Sequence, residues 1–247
     1  MKSPLRYPGG KSKAQAQIQA RIPDQIGQFR EPFVGGGSTF LNTKAQCYWI
    51  NDIDPALVDF WYALRRNRWE LQANVRMLKE MYEGAGQQLY DYLKSWLPNT
   101  FDKIAVRYFI LNRISYAGLG RNYSQTAFDG RFTDSSIDRL DIELPSRTAI
   151  SCIDYRHLLK DAEGDVFVFL DPPYLSARKS KLYQGHMEFD HVKLARSLVN
   201  CPHDWLMTID DCEEIRDLYQ GWVNIEEWEL QYGMTNKKGK ELFIWNK

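Results

Sequence analysis

Asp171-Pro172-Pro173-Tyr174 follows directly on the apolar run Val166-Phe167-Val168-Phe169-Leu170. The run is short and bulky, and reads as a strand buried on both faces, as in a parallel sheet. The tetrapeptide places an acid, two rigid residues and an aromatic ring at the carboxyl end of that strand, where open α/β sheets bind ligands. Neither proline can donate a backbone hydrogen bond, so the sheet ladder stops there. Their fixed φ angles turn the carbonyl of Pro172 and the carboxylate of Asp171 into rigid acceptors beside the ring of Tyr174. Two acceptors and a stacking ring suit a planar ring that carries an exocyclic NH₂. Asp before Pro-Pro is also a common turn, and the tetrapeptide alone leaves a plain strand-end turn open.

Its companions narrow the reading. In Glu31-Pro32-Phe33-Val34-Gly35-Gly36-Gly37-Ser38, consecutive glycines let the backbone turn tightly and approach a ligand closely. Ser38 is a candidate cap for a helix opening at Ser38-Thr39-Phe40-Leu41-Asn42. This is neither G-x-G-x-x-G nor a phosphate loop with its lysine, so a phosphate-free nucleoside fits better than a dinucleotide. One βα unit later, Tyr48-Trp49-Ile50-Asn51-Asp52 reads as a second strand ending in an acid placed to hold ribose hydroxyls. Asp54 and Pro55 then cap and start a helix, so Asp52 is the better ribose ligand. Leu5-Arg6-Tyr7-Pro8-Gly9-Gly10-Lys11 adds a ring and a cation that could close over a cofactor.

Taken in order, these elements resemble those of Dam-type (D12 class) site-specific DNA adenine N6-methyltransferases over nearly the whole chain. Tyr7-Pro8-Gly9-Gly10-Lys11 resembles the family's W/Y-x-G-G-K, Glu31 to Ser38 its E-P-F-x-G-x-G-S, and Asn51-Asp52-Ile53 its acidic ribose element. Asp171 to Tyr174 is identical to its D-P-P-Y, and Leu111 to Arg121 resembles its N-R-x-x-Y-x-G-L-x-R. Tyr7 stands where many members have tryptophan, Gly36 where many have alanine, and Ala117 where asparagine is frequent.

The resemblance implies a doubly wound, Rossmann-like α/β sheet that uses S-adenosyl-L-methionine, with an inserted helical lobe that reads double-stranded DNA. The expected division is a catalytic domain from 1–66 and 146–247 and a target-recognition lobe over 67–145. Asp171, Pro172 and Tyr174 are then the catalytic residues, acting on N6 of an adenine flipped out of the duplex. Tyr7, Lys11, Phe33, Gly35, Gly37, Asp52, Asp154 and Asp171 would line the cofactor site. Arg6, Arg113, Tyr116, Leu119 and Arg121 would meet DNA, with Tyr116 filling the gap left by the flipped base. A restriction enzyme is a partner the family allows. Alternatives are methylation of cytosine N4 or of adenine in RNA, and a catalytically silent DNA-binding or regulatory subunit. Asp at the head of the tetrapeptide leans toward adenine.

Composition agrees. A chain of 247 residues with 44% hydrophobic content can bury one α/β core and a second lobe. No apolar run approaches the ~20 residues that span a bilayer, and the basic, polar N-terminus lacks a signal-peptide core; a cytoplasmic location is expected. Cys47, Cys152, Cys201 and Cys212 show no metal-ligand spacing, the histidines no partnering pattern, and no metal is implied. The formal net charge of +0 is unusual for a DNA binder, yet its distribution is uneven. Met1 to Pro23 and Lys103 to Phe128 carry bases and no acid, and further bases fall in Arg178-Lys179-Ser180-Lys181 and Lys237-Lys238-Gly239-Lys240. Such faces can hold phosphates in a neutral protein.

Periodicity predicts a helix over Lys13 to Arg21 and strands near Arg30 to Val34 and Tyr48 to Asn51. Helices follow over Pro55 to Trp69, Glu70 to Glu83, Gln87 to Trp96 and Phe101 to Ile114, with Leu57, Phe60, Trp61 and Leu64 on one face of the first. Asn122 to Ser136 is polar and reads as turns. Strands are expected at Ala149 to Ile153, Val166 to Leu170, Asp204 to Ile209, Val223 to Leu230 and Glu241 to Trp245. The resemblance makes the last one antiparallel.

Overall fold

The computed structural model describes residues 1–160, 164–175, 189–231 and 238–247. The basic run at Arg178 to Lys181, His186 and Lys237 lie outside the described residues. In chain order the elements are α1 (Gln15–Gln19), β1 (Gln28–Glu31), β2 (Cys47–Asn51), α2 (Pro55–Met81), α3 (Gly86–Ser95), α4 (Phe101–Ile114), α5 (Gln125–Arg131), α6 (Asp134–Asp138) and β3 (Thr148–Ser151). After them come β4 (Val166–Leu170), α7 (His191–Val199), β5 (Asp204–Asp210), α8 (Glu213–Tyr219), β6 (Asn224–Gln231) and β7 (Lys238–Trp245).

Among the described residues the strands form one 7-stranded sheet in the order β3-β2-β1-β4-β5-β7-β6. Strands β1 to β5 run parallel, and β7 enters antiparallel between β5 and β6. The chain winds outward from β1 through β2 to β3, then returns to place β4 on the other side of β1. The gap between the ends of β1 and β4 is therefore the topological switch point, where such sheets open a crevice.

β4 shows why its sequence is apolar throughout. Phe167 and Phe169 enter a core shared with α1 and the helices after β2, while Val166, Val168 and Leu170 enter a second core with α7 and α8. Side chains alternate between faces, and both faces are covered, so no polar residue is tolerated in the run. Leu57, Phe60, Trp61 and Leu64 of α2 are all buried, as the spacing predicts.

α2 breaks at Asn67 (φ −156, ψ 80). The Asn67 side chain accepts from the backbone N–H of Glu70 at 3.2 Å, capping the restarted helix. The expected pair of helices is present, separated by the break at Asn67 and joined without a loop. Two expectations fail. The glycine loop leads into a single 3-10 turn, Phe40–Asn42, without a side-chain cap, so Ser38 starts no α-helix. The stretch expected as turns, Asn122 to Ser136, instead carries α5, which Ser124 caps, and the start of α6. Its aromatic residues Phe128 and Phe132 pack on each other and supply the anchoring that a count of polar residues hides.

Candidate active site

Three strand ends meet at the crevice and are tied together by side chains. Asn51 donates to the carbonyls of Pro32 and Ile153, each at 3.0 Å, joining the loops after β1, β2 and β3. Buried Glu31 accepts from the N–H of Phe40 at 2.8 Å and so shapes the glycine loop. Burial drives its carboxyl well above the usual range, and the nearby Asp171 and Asp52 push it the same way.

Gly35 (φ 45) and Gly37 (φ 67) adopt left-handed conformations that side chains resist. The close approach expected of this loop is to the protein's own rings. A Cβ on Gly35 would lie 2.8 Å from the Tyr7 ring, and one on Gly37 2.7 Å from the Trp61 indole. Trp61 also donates to the carbonyl of Gly35 at 3.2 Å. Tyr7 thus lies over the glycine turn.

Asp52, at the end of β2, is buried. Its oxygens accept from the N–H of Gly35 at 3.0 Å and of Asp54 at 3.1 Å. Burial raises its pKa to about 6 against the pull of those hydrogen bonds. A carboxylate has about four lone-pair sites, so both oxygens can still accept a hydroxyl. Asp54 caps α2 through the N–H of Ala56 at 3.0 Å, as expected. Phe33 packs against Tyr155 and Phe189, with ring centroids 5.3 and 5.5 Å away. Both oxygens of Asp154 accept from the Arg156 guanidinium at 2.8 Å. That contact holds its pKa at about 2.

Asp171 stands at the end of β4. Its Oδ1 accepts from Lys11 Nζ at 2.7 Å and from the Thr208 hydroxyl at 2.9 Å. Lys11 also donates to the carbonyl of Gly9 at 2.9 Å, and its ammonium lies 4.8 Å from the centre of the Tyr174 ring. An ammonium has three hydrogens, and Lys11 directs them into the protein. It is a buried clamp joining the N-terminal arm to Asp171 and Tyr174, where the sequence suggested a cation closing over a cofactor. Pro172 is buried behind it.

The residues expected to meet DNA divide. Tyr116 is 59% exposed on a 3-10 turn, Tyr116–Gly118, directly after α4. Arg121 is exposed and Leu119 half-buried on the same loop, which closes through the N–H of Tyr116 to the carbonyl of Asn122 at 2.9 Å. Arg6 is half-buried; burial and Arg131 lower its pKa. Arg113 is only 2% exposed, and its guanidinium donates to the carbonyl of Pro4. Burial first, then Arg139, Arg6 and Arg131, bring its pKa down to about 9. A side chain so enclosed pins the N-terminal arm.

Two residues were given no role of their own in the sequence. Asn112 accepts from the N–H of Arg6 at 2.9 Å and donates to the carbonyls of Arg6 at 2.6 Å and Gly118 at 2.9 Å. It clips the arm to the loop carrying Tyr116. Thr208 touches Asp171 from β5. Its signal was a hydroxyl inside the apolar run Trp205-Leu206-Met207-Thr208-Ile209, one strand away from the tetrapeptide.

The parallel sheet with an antiparallel last strand, and an acid and ring at its switch point, is the Rossmann-like architecture of S-adenosylmethionine-dependent methyltransferases. The model of the D12 class N6 adenine-specific DNA methyltransferases matches residues 7–234, and the chain belongs to that family. It is a DNA adenine methyltransferase. The type II methyltransferase M.CviBI of Paramecium bursaria Chlorella virus NC1A is 25% identical over 97% of this chain and 94% of its own. A DNA adenine methylase of Vibrio cholerae is 27% identical over 69% of this chain and 64% of its own. That of Serratia marcescens is 25% identical over 87% of this chain and 86% of its own.

Proposed function

We propose that this enzyme methylates N6 of a flipped-out adenine in double-stranded DNA at one target sequence, with Asp171, Pro172 and Tyr174 as its catalytic residues. The observation that carries this is the placement of Asp171: at the switch point, with Oδ1 held by two donors and Oδ2 accepting nothing among the described residues. The N6 lone pair of adenine is delocalised into the ring and is a poor nucleophile. Oδ2 of Asp171 and the carbonyl of Pro172 accept the two amino hydrogens, localise the lone pair and aim it. Tyr174 stacks on the base. Asp171 removes no proton beforehand, since a carboxylate is far too weak a base; the proton leaves for solvent as the new N–C bond forms.

S-adenosylmethionine is the methyl donor and supplies an electrophilic methyl group on sulfur. The residues present suit it. Buried Asp52 offers spare acceptors for ribose hydroxyls, Tyr7 and Phe33 offer ring faces, and the glycine turn carries no phosphate-binding lysine. Asp154 and Lys11 support this site through Arg156 and Asp171.

Base chemistry of this kind needs the nucleotide out of the stack. Tyr116 is the residue we assign to the vacated space, and Arg121 the one to base reading. We assign the segment 67–145, which begins at the break in α2, to DNA recognition. A DNA substrate implies action in the cytoplasm; no helix among the described residues is long and apolar enough to cross a membrane. A restriction endonuclease cutting the same sequence is the partner class that fits a type II relative.

The test is to incubate the enzyme with labelled S-adenosylmethionine and duplex DNA, single-stranded RNA or cytosine-only targets, then identify the modified nucleoside. N6-methyladenine from DNA alone is expected. N4-methylcytosine, or methyl transfer to RNA alone, overturns the assignment. Sequencing DNA from expressing cells with a method that reads N6-methyladenine in context gives the target.

A further inference from the structure

Thr208 lies within β5 with no exposed surface. Its neighbours in the strand, Trp205, Leu206, Met207 and Ile209, are apolar and buried. A buried hydroxyl in such surroundings is costly unless it finds a partner. The Thr208 hydroxyl finds Asp171 Oδ1 at 2.9 Å. Two residues on, and so on the same face of the strand, Asp210 accepts the backbone N–H of Leu175 at 3.0 Å. β5 therefore grips the tetrapeptide at both ends, by the side chain of its first residue and by the N–H that follows its last.

We propose that Thr208 is a positioning residue for methyl transfer, fixing which oxygen of Asp171 meets the target base. A carboxylate oxygen offers about two lone-pair sites. Lys11 at 2.7 Å and Thr208 at 2.9 Å fill those of Oδ1. The carboxylate then cannot rotate without losing a charge-assisted bond and leaving a buried hydroxyl unpaired. Oδ2 is left as the oxygen of Asp171 that an amino hydrogen can use. Lys11 alone does not achieve this, because a single donor leaves the carboxylate able to turn about that one contact. The second donor, on a rigid strand, sets the plane. This rests on the reading of Asp171 as the N6 acceptor.

The experiment compares Thr208→Val, Thr208→Ser and Asp171→Ala with the wild type in the full chain. The single-turnover methyl-transfer rate is measured at saturating S-adenosylmethionine and duplex DNA, alongside both dissociation constants. Valine keeps the shape and removes the hydroxyl; serine restores a hydroxyl. Thr208→Val should slow the chemical step about tenfold, with both dissociation constants within about twofold. Thr208→Ser should recover most of the rate. A folded Thr208→Val with wild-type rate overturns the inference, as does an equal loss in the valine and serine variants. Should the valine variant not fold, Thr208→Ala and Thr208→Ser supply the same contrast. If Asp171→Ala itself turns over normally, the acceptor reading fails. If Asp171→Ala is inactive while Thr208→Val is normal, only the role of Thr208 fails.

Discussion

Lys11 and Asp171, 160 residues apart in sequence, meet at 2.7 Å, and Lys11 is 2% exposed. The contact anchors the N-terminal arm to the end of β4, and the arm carries Tyr7 over the glycine turn. Removing one partner of an enclosed ion pair leaves the other charge poorly solvated. Lys11→Met and Asp171→Asn should therefore be non-additive, with a coupling of about 1–3 kcal/mol in a double-mutant cycle of urea unfolding. Additive effects would mean that the arm is held by other contacts.

As the proposed ribose acceptor, Asp52 should give cofactor binding a pH dependence. Its pKa is raised from 3.8 to about 6 by burial. The folded protein binds a proton there more tightly than the unfolded chain, so the Asp52 contribution to stability falls as pH rises from 3.8 to about 6. Cofactor binding runs the other way. Ribose hydroxyls donate best to the ionised carboxylate, so affinity should drop as pH falls through about 6. Asp52→Asn should weaken binding at neutral pH by ~0.5–3 kcal/mol and abolish the pH step. Calorimetric titration across that range checks both, and a pH step that survives in the variant assigns it elsewhere.

Arg121 and Tyr116 share one loop but should fail differently. Arginine pairs with guanine in the major groove and discriminates by ~1–3 kcal/mol per base. Arg121→Ala should thus lower methylation at the preferred site more than at near-cognate sites. Tyr116→Ala should impair flipping and turnover more than initial binding. Duplexes differing by one base pair, assayed at one fixed salt concentration, make the comparison. Equal slowing at every site would make Arg121 a backbone clamp.

For Arg113 the structure predicts a loss of stability. Arg113→Met removes a buried guanidinium bound to the carbonyl of Pro4, and should change unfolding free energy by about 1–3 kcal/mol. The slope of DNA affinity against salt concentration should stay as it is, because no phosphate contact is lost. A slope reduced by about one would place the side chain on DNA after all.

The sequence was most legible where one physical demand dominates. β4 is apolar because both its faces are covered, so Val166 to Leu170 were bounded correctly and the tetrapeptide found its place at the strand end. Asp54 and Pro55 mark the start of α2 by local chemistry alone. What stayed hidden depends on partners far along the chain. Nothing local to Arg113 says that it binds the carbonyl of Pro4. The pairing of Lys11 with Asp171 is hidden for the same reason, the two being so distant in sequence. The tight turn at Gly35 and Gly37 was legible, but only the folded arm and α2 show that Tyr7 and Trp61 fill the space beside them.

The most direct test of the central claim is the single-turnover methyl-transfer rate of Asp171→Ala on duplex DNA bearing the target sequence, with folding checked by circular dichroism. Loss of the preorganised acceptor should cost ~10²-fold or more while the folded state persists. A folded variant that transfers methyl groups at a near-normal rate would contradict the assignment of Asp171 as the group that aligns N6.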